Sequence, residues 1–309
     1  MPVKPIIISA SRRTDIPAYY ADWFRNRLEK GFTVYPNPIS GKPVFQRLVP
    51  ASVLAFVFWT RNPFPLFKYL DYIDEYYGKR HYMHFTINGL PEIFEPRNPN
   101  IRYATDLAVQ LADRYGPGYV QWRFDPVVIS SATPEEYIFE KFNDIAARLD
   151  GAVRRCYFSF VDLYEKTKKN FRKISLKTGT TFQKQSLEDQ IRITNNLADI
   201  AGKYQITMHA CVEDQLLQAC RIEKAHCVDR DLIAGITQES YASIKPQPSR
   251  LGCGCFDSRD IGYYDSCPHG CIYCYSNRDP DRAFANAKGF LKNGFPLDEL
   301  PLIQITDEK

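Results

Sequence analysis

Six short apolar runs recur along the chain, and most of them precede a longer stretch with the periodicity of an amphipathic helix. The runs lie at residues 6–9, 53–59, 82–87, 120–124, 156–161 and 206–210. Several are apolar almost throughout, which is typical of parallel strands that are covered on both faces. The alternation therefore predicts an α/β fold with a parallel sheet, either barrel-like or doubly wound.

The stretches between these runs predict five helices and one hairpin. We place the helices at residues 19–30, 64–77, 102–115, 134–149 and 186–203, and the hairpin at 32–48. Pro134 follows a threonine and precedes Glu135 and Glu136, which is a typical helix N-terminus. Strands and helices thus alternate along most of the chain.

Nearly every proposed strand runs into a polar, charged or Gly/Pro turn. In barrel-type α/β folds, the turns at the carboxyl ends of the strands build the active site. Four arginines in or beside these turns are candidates for binding carboxylate or phosphate groups: Arg12, Arg13, Arg61 and Arg123. Three neighbours are candidates for hydrogen bonds to ribose or substrate hydroxyls: Asp15, Asn62 and Asp125. The turns therefore predict a small-molecule or anionic substrate.

The lengths of the apolar stretches and the net charge indicate which classes of protein this sequence does not resemble. No stretch approaches the roughly 20 apolar residues of a membrane helix, and the N-terminal apolar run is too short for a signal peptide. We therefore expect a soluble, cytoplasmic protein without a membrane partner. The net charge of +4 does not indicate a nucleic-acid binder. We interpret the basic stretch at 166–177 as a solvated helix face; a nucleic-acid substrate would contact it first.

Nine cysteines are present, and five of them lie between residues 253 and 274. Without an export signal, such cysteines favour metal ligands or core residues over disulfides. Cys267, Cys271 and Cys274 have the spacing C-x3-C-x2-C, which can direct three thiolates at three irons of a cubane and leave the fourth iron without a protein ligand. Gly270 allows the tight turn that such a loop needs.

Residues 267–275 read Cys-Pro-His-Gly-Cys-Ile-Tyr-Cys-Tyr, which closely resembles the cluster loop of the radical S-adenosylmethionine superfamily, in the variant seen near spore photoproduct lyase. The resemblance includes Tyr273, the aromatic residue before the last cysteine. It implies a [4Fe–4S] cluster whose open iron binds the methionine moiety of S-adenosylmethionine. It also implies a 5′-deoxyadenosyl radical, an external electron donor such as flavodoxin or ferredoxin, and a partial (β/α)6 TIM-like barrel.

The whole chain, with Ser-Arg-Arg-Thr-Asp early and Cys-Gly-Cys late, resembles a bacterial family known only as a domain of unknown function, number 1848. In typical superfamily members the cluster loop follows the first strand, whereas here it lies near the C-terminus. The resemblance thus implies an order like that of a circular permutation. A Pro/Ser stretch at 245–250 predicts the boundary. We expect the partial barrel at 1–245 and a cluster segment at 246–309 packed on its mouth.

The remaining cysteines leave alternatives open. Cys253 and Cys255 could ligate a second iron–sulfur cluster with Cys211, or one of them could fill the fourth site of the first cluster. In that second case the protein would be a non-catalytic electron carrier or a structural cluster protein. Zinc held by four tail ligands would instead make a stapled binding module. We interpret Cys220 and Cys227, in or near a helical stretch at 214–228, as structural.

Overall fold

Eight of ten strands form one parallel sheet in the computed structural model, which describes residues 4–162 and 164–298. The strands are β1 (Ile6–Ala10), β2 (Phe32–Pro36), β3 (Pro43–Arg47), β4 (Val53–Thr60), β5 (His81–Thr86), β6 (Val120–Val127), β7 (Arg155–Phe160), β8 (Thr207–Ala210), β9 (Glu223–Lys224) and β10 (Ser258–Asp260). The order across the sheet is β10-β1-β4-β5-β6-β7-β8-β9. β2 and β3 form the predicted hairpin.

Helices flank this sheet, so the predicted α/β class with parallel strands is confirmed. They are α1 (Ile16–Tyr19), α2 (Ala21–Lys30), α3 (Phe64–Phe67), α4 (Leu70–Tyr77), α5 (Ile101–Tyr115), α6 (Glu135–Arg148), α7 (Glu165–Thr178), α8 (Leu187–Lys203), α9 (Arg230–Thr237) and α10 (Pro280–Asn293). The helix predicted at 64–77 is divided into α3 and α4. Each helix in the described residues is too short or too polar to serve as a membrane span.

The helical prediction at 214–228 is wrong. This stretch forms a 3-10 turn at Asp214–Leu216 and then β9, which pairs with β8. β9 and β10 were not predicted because each is short and polar, and their extended form depends on pairing with a neighbouring strand rather than on intrinsic propensity. The sheet therefore has eight strands instead of six.

The sheet is open. Within residues 4–162 and 164–298, β9 and β10 form its two edges and do not pair with each other. The TIM-like barrel is thus not confirmed, although strand order and direction agree with a succession of β/α units.

Large aromatic side chains fill the space between the sheet and its helices. Phe24 of α2 packs edge-on against Phe56 and Phe58 of β4, with ring centroids 5.4 and 5.7 Å apart. Trp122 of β6 packs on Phe142 of α6 at 4.7 Å. All five rings are buried. Burial of such rings stabilises the fold by roughly 2–3 kcal/mol each.

A second row of rings crosses strands β4 to β8. It runs from Trp59 through His84 and Tyr157 to His209, with successive centroids 4.3, 4.9 and 5.1 Å apart. The chain after β9 lies against this row, since His84 Nε2 is 2.6 Å from the carbonyl oxygen of Cys227. The connection between β9 and β10 therefore returns across the sheet.

β10 joins the C-terminal segment to the beginning of the chain. It pairs with β1 in parallel, with Ser9 opposite Asp260. The Asp260 carboxylate accepts hydrogen bonds from Ser9 Oγ at 3.1 Å, Ser11 Oγ at 2.8 Å and the Arg12 backbone N–H at 2.8 Å. The cysteine loop at 267–274 consequently follows a strand that lies beside β1. The division of the chain at residue 245 stays a prediction.

The substitution Asp260→Ala should lower the free energy of unfolding by about 3 kcal/mol, because it leaves two hydroxyls and the backbone N–H groups of Arg12 and Gly262 without their acceptor. Asp257→Ala is the matched control: its side chain is 37% exposed and pairs with Arg259 on the surface, so the loss should stay below about 1 kcal/mol. Urea unfolding followed by circular dichroism measures both. Equal losses would contradict the anchoring role of Asp260.

Candidate functional site at the carboxyl ends of the strands

Contacts from two parts of the chain, the connection after β5 and α7, hold the cysteine loop against the sheet. The Arg97 guanidinium donates to the carbonyl oxygen of Pro268 at 2.9 Å. Asn170 of α7 donates to the carbonyl oxygen of Ile272 at 2.9 Å, and the backbone N–H of Ile272 donates to the carbonyl oxygen of Phe94 at 3.1 Å. Part of the basic stretch at 166–177 therefore faces the loop rather than solvent.

Position 270 requires glycine for two reasons: its backbone conformation and the lack of room for a side chain. Its φ of +80° lies in the left-handed region, as the sequence predicted from the tight turn. A Cβ atom there would stand 2.7 Å from Arg97 Nη1 and 3.0 Å from Pro96 Cγ. The loop can thus approach residues 96–97 only with glycine at this position.

The three loop thiols lie close enough to influence one another. Burial, with the nearby Asp15 carboxylate and the Cys274 and Cys271 thiols, raises the pKa of Cys267 well above its usual range. Burial also raises the pKa of Cys271 to about 12. Both groups are thus neutral thiols near pH 7 unless a cation binds them. In the described ranges, no three Cys, His, Asp or Glu side chains converge closely enough to surround a single metal ion.

Asp15 connects the first strand to this loop. Its carboxylate caps α1 by accepting from the Ala18 N–H at 2.9 Å and also accepts from the Arg61 N–H at 2.7 Å. The same carboxylate bonds to His269 Nε2 at 2.8 Å. These contacts give Asp15 an anchoring position, and its predicted hydrogen bond to a ligand hydroxyl stays a prediction.

A buried network surrounds the predicted residues Arg61 and Tyr273. Arg61 donates to Glu95 Oε1 at 2.9 Å and to the Tyr273 hydroxyl at 2.5 Å. Asn88 donates to Glu95 at 3.0 Å, and the Tyr273 hydroxyl also donates to Glu95. Burial acts to lower the pKa of Arg61, but Cys271 and Glu95 more than offset it and raise that pKa well above its usual range. The guanidinium is therefore a permanent cation.

A cavity of about 670 Å³ opens beside this network. Its lining includes Arg61, Asn88, Glu95, Asn98 and Lys141. Asn98 Nδ2 lies 3.9 Å from Cys271 Sγ, so the cavity adjoins the cysteine loop. The volume falls within the range of pockets that bind small molecules and cofactors.

A second group of thiols comes from residues outside this loop. Cys211 Sγ and Cys227 Sγ are 3.8 Å apart. Cys255 influences the pKa of Cys227, and its interaction with Cys253 lowers the pKa of Cys253 to about 5. The three cysteines predicted for a second site are thus brought near one another, together with Cys227. The sequence did not reveal Cys227, because the wrong helical prediction assigned it to a structural role.

Two predicted arginines face this second group. The guanidiniums of Arg12 and Arg123 each lie 5.2 Å from the Trp59 ring centroid. Arg123 donates to Cys227 Sγ at 3.3 Å and pairs with Asp125. Burial acts to lower the pKa of Arg12, but Cys255 and other neighbours more than offset it and raise that pKa.

The other predicted residues make local contacts. Arg13 donates to the carbonyl oxygens of Pro36 and Gly262, both at 3.4 Å. Asn62 accepts from the Phe64 N–H at 3.2 Å, at the beginning of α3. The Asp125 N–H donates to Asn88 at 2.8 Å. Their predicted roles in ligand binding stay predictions. Glu95 and Asn88 were not proposed as site residues. Asn88 lies in the turn after β5 and could have been found from that position, whereas Glu95 lies farther along the chain and carried no such signal.

Comparison with known proteins yields one match. The model of the family described as "Domain of unknown function (DUF1848)" matches residues 7–276. This range covers β1 from its second residue, the other nine strands, the cavity and both groups of thiols. No curated protein and no solved structure matches the chain.

The substitution Glu95→Gln should lower the free energy of unfolding by about 3 kcal/mol, because the Arg61 side chain would keep its charge at 13% exposure without an opposite charge. Glu92→Gln is the control: Glu92 lines the same cavity but is exposed, so we expect a change within about 0.5 kcal/mol. Urea unfolding compares the two variants. A Glu95→Gln chain as stable as the control would show that the Arg61–Glu95 pair does not stabilise this region.

Proposed function

We propose that the chain, which belongs to the DUF1848 family, is a radical S-adenosylmethionine enzyme that holds a [4Fe–4S] cluster on Cys267, Cys271 and Cys274. The observation that carries the proposal is the position of these thiols: one buried loop bears all three, beside a cavity of about 670 Å³. In the superfamily that the loop resembles, the reduced cluster supplies the electron that cleaves S-adenosylmethionine to a 5′-deoxyadenosyl radical.

The chemistry of the donor set fits a cubane. Thiolates are soft ligands that favour iron–sulfur and zinc sites. Each cysteine of a cubane binds a different iron, so its ligands stand farther apart than the ligands of a single ion. The absence of a converged single-ion site in the described residues is therefore compatible with a cluster. The raised pKa values of Cys267 and Cys271 also make ionisation of these thiols depend on a bound cation.

The position of the loop in the sheet gives independent support. In typical superfamily members the cluster loop follows the first strand. Here it follows β10, the edge strand that lies beside β1. Spatially, the loop thus follows a first strand although it comes late in the sequence. This is the arrangement expected of a circular permutation, and the partial barrel stays part of the proposal.

Residues of the cavity suit an anionic ligand. Arg61 is a permanent cation, and Lys141 lines the same cavity. These groups can donate hydrogen bonds to a carboxylate, either that of the methionine moiety or one on the substrate. Glu95 and Tyr273 hold the Arg61 guanidinium in a fixed orientation. The buried network thus positions the cation before a ligand enters.

Anaerobic reconstitution followed by electron paramagnetic resonance tests the proposal. The reduced wild-type chain should give a cluster signal that shifts when S-adenosylmethionine is added, and dithionite should yield 5′-deoxyadenosine. Cys271→Ala should lose both results, because one iron would lack its ligand. Cys156→Ala is the control, since Cys156 is buried in β7 among core residues.

Three outcomes would contradict the proposal. Iron-free protein after reconstitution would exclude the cluster. A cluster whose signal does not change with S-adenosylmethionine, without 5′-deoxyadenosine, would identify a non-catalytic iron–sulfur protein. Zinc without iron would identify a zinc-stapled module.

A further inference from the structure

We propose that Cys211, Cys227, Cys253 and Cys255 form a second, four-thiolate metal site that binds a soft metal centre, either a zinc ion or an iron–sulfur cluster. The four residues come from three separate segments: the end of β8, the connection after β9, and the stretch before β10. Folding alone brings them together, and the loop at 267–274 contributes none of them. The site is therefore independent of the cluster under "Proposed function".

One pair already has the spacing of ligands to a common ion. In a tetrahedral zinc site with Zn–S bonds of about 2.3 Å, neighbouring sulfurs stand about 3.8 Å apart. Cys211 Sγ and Cys227 Sγ are 3.8 Å apart. Cys255 and Cys253 continue the group, but among the described residues the thiols do not converge on one point. Binding of a single zinc ion would thus require a small inward movement of the thiols. An iron–sulfur cluster, whose irons are spread out, could instead bind thiols that stand farther apart.

Backbone hydrogen bonds hold the connection after β9 beside the stretch before β10. The Val228 N–H donates to Cys255 Sγ at 3.4 Å, and the Phe256 N–H donates to the Val228 carbonyl oxygen at 3.0 Å. The Cys255 N–H lies 3.5 Å from Cys253 Sγ. N–H groups directed at sulfur are typical of metal-bound thiolates, where they tune the charge on the ligand.

Gly254 allows this close approach. A Cβ atom at this position would lie 2.8 Å from the Ala225 carbonyl oxygen and 2.9 Å from His226 Nδ1. Glycine is therefore needed between the two cysteines for both thiols to lie against the connection after β9.

Charge supports the same conclusion. A divalent ion bound by four thiolates retains two negative charges. Arg123 donates to Cys227 Sγ at 3.3 Å. Among the described residues, no carboxylate lies within 4.0 Å of the Arg12 guanidinium to form an ion pair. In the same part of the chain, the buried Nη2 atom of Arg12 has no hydrogen-bond partner. A negatively charged metal centre beside Cys255 and Cys227 would supply the missing partner for this cation.

Four protein ligands leave no open coordination position, in contrast to the three-thiol loop. The second site is therefore suited to stapling the fold or to transferring electrons rather than to binding substrate. It would fasten the stretch before β10 to the connection after β9 at the opposite edge of the open sheet. In doing so it would help to fix β10, which precedes the loop at 267–274.

Metal and sulfide analysis of the anaerobically purified full-length chain tests the second site. Cys227→Ser should lose one complete centre, which is about one zinc, or about four irons with their sulfide. Cys220→Ser is the control, since Cys220 is partly buried and lies outside the group, and it should keep the wild-type content. Cys271→Ser should lose only the loop cluster, so failure of one site is distinguishable from failure of the other.

Differential alkylation of the wild-type chain gives a second readout that does not depend on folding of a variant. In the metal-loaded native protein, Cys253 should resist iodoacetamide although it is only partly buried. A chelator should expose all four thiols together, as read by mass spectrometry of the peptides. Unchanged metal content in Cys227→Ser, alkylation of Cys253 without chelator, or a Cys211–Cys227 disulfide would each overturn the second site.

Discussion

The pairing of β10 with β1 is the constraint on which the rest of the site depends. It places a strand from the end of the chain beside the first strand, so that the loop at 267–274 emerges among the carboxyl ends of the central strands. The Asp260 carboxylate stabilises this pairing through hydroxyl and backbone donors of residues 9–12. Together with the contacts of Arg97 and Asn170, this pairing holds the loop beside the cavity that Arg61 lines.

Two groups of thiols then face different surroundings. The loop thiols lie beside a cavity and a fixed arginine, which suits a centre that must remain accessible to a small molecule. In the second group, Arg123 donates to Cys227 Sγ and Arg12 interacts electrostatically with Cys255, so two cations can balance a closed, negatively charged centre. The two proposed sites differ in function because they differ in the number of ligands. Three thiolates leave one coordination position of the metal centre free, whereas four leave none. Both proposals thus assign separate tasks to neighbouring sites.

The sequence predicted the central strands because runs such as 53–59 and 120–124 are apolar enough to indicate burial without any tertiary information. It did not predict β9 and β10, since two or three polar residues become a strand only when a partner strand is present. The spacing C-x3-C-x2-C and the resemblance of the loop pointed to its three thiols as cluster ligands, and that role stays a prediction. Cys227 and Glu95 could not be predicted from the sequence, because their contacts join residues that are distant along the chain. Cys227 lies beside Cys211, and Glu95 accepts from Tyr273.

Diffraction at the iron absorption edge, from crystals grown without oxygen after reconstitution, tests the central claim most directly. The account predicts an anomalous peak of several irons within bonding distance of the three loop sulfurs, with one iron free of protein ligands and directed at the cavity beside Arg61. A loop without iron, or a fourth side chain bound to that iron, would contradict it.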